Sequence, residues 1–153
     1  MEYSYREIPE RKRIALVAHD HRKADMLDWA KENRKRLKSH DLSATGTTGE
    51  LLEEALELPV AKFLSGPMGG DQQIGAAIAE GKLDVLFFFW DPFEQQPHDP
   101  DIKALLRIAA VWNVPVACNR ASADLIIQAP QFTQVYQTLV PDYQKYQVDR
   151  VFE

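Results

Sequence analysis

The residues that could carry chemistry gather around Phe63-Leu64-Ser65-Gly66-Pro67-Met68-Gly69-Gly70-Asp71-Gln72-Gln73. Three glycines and a proline in five positions shape a backbone rather than pack it. Ser65 and Gly66 offer a hydroxyl and bare N–H groups. Asp71 offers a base at the start of a helix, where the dipole favours the carboxylate and burial opposes it. Such a stretch suits a small anion held beside a base. His98 is the partner candidate. It stands before Asp99-Pro100, at the positive end of a predicted helix, which disfavours imidazolium and leaves a neutral ring able to donate to a carbonyl oxygen. A carboxylate base with a neutral histidine at a helix N-terminus is a pairing that takes a proton from carbon next to a carbonyl. The plainer alternatives are a stabilising helix aspartate at 71 and an exposed loop histidine at 98.

An anion needs a cradle, and Thr45-Gly46-Thr47-Thr48-Gly49 reads as one. Its glycines turn N–H groups inward, its threonines add hydroxyl donors, and a helix N-terminus follows. Without a GK[ST] ending it does not imply a nucleoside triphosphate. A tight turn with a capping threonine fits the same residues; Ser65-Gly66 at the next strand end supplies a second loop toward one phosphate. Lys23 falls in the first turn of a helix, where a cation is disfavoured unless an anion lies beside it; otherwise it is a surface lysine. His19 is either a ligand contact or a strand-end residue, and His21 and His40 read as surface residues. Asp91, His98, Asp99 and Asp101 lie close in sequence but form no metal-ligand frame. Ser65 lacks a nucleophile-elbow context, and Cys118 sits in a buried-looking strand.

Five short apolar runs must position these loops, over 14–18, 42–44, 61–64, 85–90 and 114–118. Helices are predicted over 21–38 with Asp20 as cap, 50–57, 71–80 ending at Gly81, 101–112 with Asp99 as cap, 122–128, and 142–152 after Pro141. Residues 1–12 read as an arm or a short helix, and 85–90, the most apolar run, as the central strand. Alternating strand and helix means parallel strands with right-handed crossovers. The expected fold is a Rossmann-like α/β three-layer sandwich with about five mostly parallel strands, in one domain over 1–153. Sites in such folds lie beyond the carboxyl ends of the strands, which selects His19–Lys23, Thr45–Gly49, Ser65–Asp71 and Asp91–Asp101.

The rest of the composition narrows the partners. A net charge of −5 gives no basic face for nucleic acid. The basic group Lys31, Arg34, Lys35, Arg36 and Lys38 reads as a solvated helix face. A single cysteine suits a reducing compartment, and the N-terminus lacks a signal-peptide core, so a cytoplasmic location is expected. The longest apolar run, Val85 to Trp90, falls short of a membrane span.

Val17-Ala18-His19-Asp20, Ala44 through Gly49, Ser65 through Gln73, Phe88-Phe89-Trp90-Asp91-Pro92 and Pro97-His98-Asp99-Pro100-Asp101 together resemble the bacterial methylglyoxal synthases. The likeness runs over nearly the whole chain. It implies conversion of dihydroxyacetone phosphate to methylglyoxal and inorganic phosphate, with neither a metal nor an organic cofactor. It further implies that Asp71 removes the proton, His98 polarises the carbonyl, Asp101 supports the site, and Lys23, Thr45, Gly46, Thr47, Thr48, Ser65 and Gly66 hold the phosphate while His19 contacts substrate. A homohexamer inhibited cooperatively by phosphate is also implied. Arg150, on a terminal helix with Tyr143, Lys145 and Tyr146, is a candidate to reach a neighbour's phosphate site, or else a solvent-facing arginine. The same fold resembles the effector-binding regulatory domain of carbamoyl phosphate synthetase, which does no chemistry. An isomerase acting on triose phosphates is a third reading, separable by product.

Overall fold

In the computed structural model, which describes residues 1–151, strands and helices alternate along most of the chain. The order begins β1 (Tyr3–Ile8), β2 (Arg13–Ala18), α1 (Lys23–Glu32), α2 (Arg34–Leu37), β3 (Asp41–Thr45), α3 (Gly46–Leu56) and β4 (Val60–Phe63). It continues α4 (Gly70–Ala79), β5 (Val85–Phe89), α5 (Asp99–Val111), β6 (Val116–Ala117), α6 (Arg120–Gln128), β7 (Tyr136–Pro141) and α7 (Tyr143–Val151). Short 3-10 turns at Asp20–Arg22 and Gly66–Met68 follow two of the strand ends.

Five strands form one parallel sheet in the order β4-β3-β2-β5-β6. Side chains alternate between its faces, as period-two strands require. Ile14, Leu16, Val85, Phe87 and Phe89 meet Met26, Trp29, Leu52, Leu56 and Ile127 on one side. Ala15, Val17, Leu86 and Phe88 meet Ile74, Ile78, Ile102 and Leu105 on the other. Both faces are covered, which is why β2 and β5 read as unbroken apolar runs. The expected α/β sandwich is the observed one. Its central strand is β2, however, not the 85–90 run: chain order reverses at β2, so β5 lies beside it rather than in the middle. That reversal makes the crevice between the ends of β2 and β5 the place for a ligand.

Several local expectations are corrected. Residues 1–12 are neither an arm nor a helix: β1 pairs antiparallel with β7, from Tyr3↔Pro141 to Ile8↔Tyr136. The predicted helix 21–38 is broken at Asn33, whose buried amide donates to the Trp29 carbonyl. Asp20 caps nothing and instead takes a hydrogen bond from Lys23 at 2.7 Å. Asp99 is already the first residue of α5, and its carboxylate accepts the Gln96 N–H. The 114–118 strand shrinks to two residues because β6 is an edge held only by β5. Cys118 is therefore past its end and half-buried.

His40 is not a surface residue: only 5% of it is exposed. Its Nδ1 accepts the Lys12 N–H at 2.9 Å and its ring lies edge-on to Phe132. Lys12 is itself buried, its ammonium donating to the carbonyls of Pro9 and Gln134. Burial first, then the charges of Lys12 and Arg11, push the His40 pKa from 6.5 to about 4. The unfolded chain thus binds a proton that the folded chain refuses. This contribution to stability is complete above pH 6.5, declines as pH falls, and is gone below about pH 4. The loss is on the order of 3 kcal/mol. Urea midpoints measured from pH 7 to pH 4 should therefore fall less steeply in His40→Asn than in the wild type; parallel curves would exclude His40 as the source.

Candidate active site

Four strand ends meet over the β2–β5 crevice. One cleft, with about 480 Å³ of empty space including its open mouth, is lined by His19, Asp20, Lys23, Thr45–Thr48, Ser65, Gly66, Asp71, Gln96 and His98 among others. Ten of the expected site residues stand together there: His19, Lys23, Thr45, Gly46, Thr47, Thr48, Ser65, Gly66, Asp71 and His98.

The cradle is built differently from the expected loop. The predicted 50–57 helix begins at Gly46, so Thr47, Thr48 and Gly49 occupy its first turn. Thr45, the cap position, makes no side-chain capping bond. The first helical N–H groups therefore remain available to an anion. Gly46 has φ +47°, and a Cβ there would stand 2.9 Å from Ser65 Cβ. Only glycine lets the two loops touch. Lys23 reaches into this corner, its Nζ 2.7 Å from both Thr47 Oγ1 and Asp20 Oδ1. The cation is thus held at the cradle by a carboxylate, and that contact lowers the Asp20 pKa.

Asp71, in the first turn of α4, is only 2% exposed. Of the two opposed influences on it, burial wins: it raises the pKa, helped by Asp101 and opposed by His98. A buried carboxylate with an enlarged proton affinity is a competent base. His98 sits at the cap position of α5, its Nε2 3.7 Å from Asp71 Oδ2. That gap is too long for a hydrogen bond. His19 lies beside it, ring centroids 5.6 Å apart. The His19 Nδ1 accepts the Asp91 N–H at 2.9 Å. A neutral His19 must then carry its proton on Nε2. Burial, followed by the nearness of His98, lowers the His19 pKa, so neutrality is favoured. Asp71 Oδ2 and His19 Nε2 are both buried without a protein partner. Orphans of opposite character, an acceptor and a donor, are what a substrate with an acidic C–H and a carbonyl would satisfy.

Two expected residues lie elsewhere. Asp101 is in the first turn of α5, outside the cleft lining, and accepts from Gln72 at 3.2 Å. It reaches the site through its charge on Asp71. Arg150 is on exposed α7, its guanidinium over the Tyr146 ring and away from the cleft of its own chain. Conversely, Asp20 and Gln96 line the cleft beside the candidates that the sequence suggests. From sequence Asp20 reads as a helix cap. Gln96 carried no signal, since its place depends on how the 91–98 loop folds back. His21 is exposed as expected, yet its Nδ1 lies 3.1 Å from Asp91 Oδ2 and 2.8 Å from Glu94 Oε2. Among the described residues these three form the group whose composition could also hold a cation; here the imidazole hydrogen-bonds Asp91, and Glu94 stands within ion-pair distance of it.

The family described as the MGS-like domain matches residues 25–118. Methylglyoxal synthase from Pectobacterium atrosepticum is 57% identical over 151 residues, covering 99% of each chain. The enzyme of that name from Saccharophagus degradans is 59% identical over 143 residues, covering 94% of this chain and 93% of its own. The crystal structure of methylglyoxal synthase from Elizabethkingia anophelis superposes with a TM-score of 0.88 at 51% identity, over 94% of this chain and 95% of that one. A base, a pair of histidines and an anion cradle at one topological switch point thus occur in a chain whose sequence and fold both match the same enzymes, and the chain belongs to the methylglyoxal synthase family.

Proposed function

We propose that the cleft converts dihydroxyacetone phosphate to methylglyoxal and inorganic phosphate. The observation that carries this reading is the buried Asp71 carboxylate, raised in proton affinity, facing His98 Nε2 across 3.7 Å at the foot of an anion cradle. The phosphate lies against the α3 N-terminus, Ser65-Gly66 and Lys23. Asp71 takes a proton from the hydroxymethyl carbon next to the carbonyl. The charge that develops on the carbonyl oxygen is met by N–H donors from His98 and His19. A lost donor of this kind costs about 2.7–4 kcal/mol of transition-state stabilisation. A proton then passes from the terminal hydroxyl to the former carbonyl oxygen, with His98 in reach of both. The electron pair returns toward carbon, the bond to phosphate breaks, and the enol left behind takes a proton on its methylene carbon as its hydroxyl gives one up, becoming methylglyoxal. Asp101 supports this by raising the basicity of Asp71. No cofactor is needed for any of these transfers.

Elimination rather than isomerisation requires the carbon–phosphate oxygen bond to stand out of the enediolate plane. An assay that follows methylglyoxal, free phosphate and glyceraldehyde 3-phosphate together separates the readings. Equal release of methylglyoxal and phosphate is expected. Accumulating glyceraldehyde 3-phosphate would make the protein an isomerase, and binding without turnover would make it an effector module.

The reading extends to assembly and control. A helix with no buried residue, α7, and the exposed apolar side of the β1–β7 ribbon, with Tyr3, Tyr5 and Leu139, favour a homo-oligomer, in this family a homohexamer in the cytoplasm. None of the described helices is long and apolar enough to cross a membrane. Arg150 in such an assembly would approach a neighbour's phosphate site and transmit inhibition by phosphate. Arg150→Ala is expected to weaken that inhibition about tenfold or more, the scale of one hydrogen bond to a charged group, and to flatten its cooperativity. Inhibition curves identical to wild type would remove Arg150 from the scheme.

A further inference from the structure

The loop from Asp91 to His98 delivers one of the two histidines, yet little holds it. Pro92, Phe93, Glu94, Gln95 and Pro97 are exposed, and Phe93 is 95% so. Within the loop, Phe93 N–H closes on Asp91 Oδ1 and Gln96 N–H on Asp99 Oδ1. Among the described residues, its side-chain ties to the neighbouring strand end come from two histidines of one turn. His19 accepts the Asp91 N–H, and His21 hydrogen-bonds the Asp91 carboxylate with Glu94 Oε2 2.8 Å from the same nitrogen.

Asp91 is the junction of these ties. Its side chain is 8% exposed and engaged at both oxygens: Oδ1 with Phe93 N–H, Oδ2 with His21. Its own N–H points at His19 Nδ1. The orientation of that peptide decides which nitrogen of His19 carries the proton. If the peptide turned away, His19 could place its proton on Nδ1 and present a lone pair to the cleft. A donor would become an acceptor at the spot where negative charge develops.

We propose that His21 is a positioning residue: by clamping Asp91 and Glu94 it fixes the loop so that the Asp91 N–H holds His19 in its Nε2–H form and His98 stays opposite Asp71. The assignment rests on the synthase reading for its kinetic part alone; the tautomer part stands on the hydrogen bonds. An imidazole that hydrogen-bonds the Asp91 carboxylate while a second carboxylate, that of Glu94, stands 2.8 Å from the same nitrogen suits this task. A lysine or arginine would bring a charge of longer reach to a turn only a few residues from Lys23, in competition with it for the anion.

The test uses the full-length protein with uniform ¹⁵N labelling. Long-range ¹H–¹⁵N spectra of the histidine side chains report the His19 tautomer directly, and steady-state assays on dihydroxyacetone phosphate give kcat and KM. In His21→Phe the His19 signals are expected to move from the single Nε2–H pattern toward an averaged one. Turnover should fall about tenfold or more, as sub-ångström misplacement of reacting groups allows. KM should change less than about threefold, because a cradle apart from the clamp holds the anion. His21→Asn, whose amide can place a donor near the Nδ1 position, should recover most of both readouts. Glu94→Gln, at an exposed side chain, should show smaller changes of the same sign and carries the test if His21→Phe does not fold. A His19 pattern and a kcat within about twofold of wild type in a folded His21→Phe would overturn the proposal. A wild type with no turnover, whose His19 signals still move in His21→Phe, would overturn the synthase reading and support the clamp.

Discussion

Asp71→Asn should lower kcat roughly 10²–10⁴-fold, the scale of a positioned base, while making the protein more stable at neutral pH. Both effects come from the same burial. The carboxylate is 2% exposed, and loss of solvent is the main reason its pKa stands above the ordinary value of 3.8. A group whose folded pKa is raised contributes most below its unfolded pKa, and that contribution is lost as pH rises through the folded value. At pH 7 the ionised side chain therefore destabilises the fold. Asparagine keeps the shape and removes the charge. KM should move little, since Lys23 and the α3 N-terminus stand apart from Asp71. The check is a pair of measurements: kcat and KM at pH 7, and melting temperatures at pH 7 and pH 4. A higher Tm for the variant at pH 7 that shrinks toward pH 4, together with the loss of kcat, is the expected pattern. A variant that keeps wild-type turnover would remove Asp71 as base; one that loses stability at pH 7 would mean the carboxylate has a stabilising partner.

Gly66→Ala should be nearly as damaging to catalysis and mild for folding. A Cβ on Gly66 would stand 2.9 Å from His98 Nε2, 3.3 Å from its Cδ2 and 3.5 Å from Asp71 Oδ1. The methyl would enter the space between base and histidine, where the reacting carbon has to sit. His98 is buried, so its ring cannot swing into solvent to make room. A displaced donor should cost about 10²-fold in kcat, because a shift near 1 Å is enough. The strain on the fold is expected at about 1–3 kcal/mol, as for other overpacked sites. Asp71→Asn and Gly66→Ala are then told apart by KM: the alanine also crowds the substrate and should raise it. Wild-type kinetics in Gly66→Ala would show that His98 yields and that its position is not set by this contact.

Ten of the residues named from sequence converge on one cleft because their legibility is local. Gly46, Ser65-Gly66 and Asp71 sit at strand-to-helix junctions, and a parallel α/β sheet brings all such junctions to one edge. The site was readable once the alternation of strand and helix was. Asp101 and Arg150 are of another kind. Asp101 acts on Asp71 through space by way of the α4–α5 pairing, and Arg150 lies on exposed α7, away from the cleft of its own chain.

Periodicity alone determined the parallel sheet, the covered faces of β2 and β5, and the loops at their carboxyl ends. Those follow from short-range sterics and from burying contiguous apolar runs. Tertiary structure decided what depends on distant partners. β1 exists because β7 is there to pair with it, across more than a hundred residues of chain. His40 is buried because Lys12 and Phe132 close over it. The basicity of Asp71 was left open by its position at a helix start, where dipole and burial act in opposite directions. Packing settled it, since desolvation depends on every atom that surrounds the carboxylate and not on its neighbours in sequence.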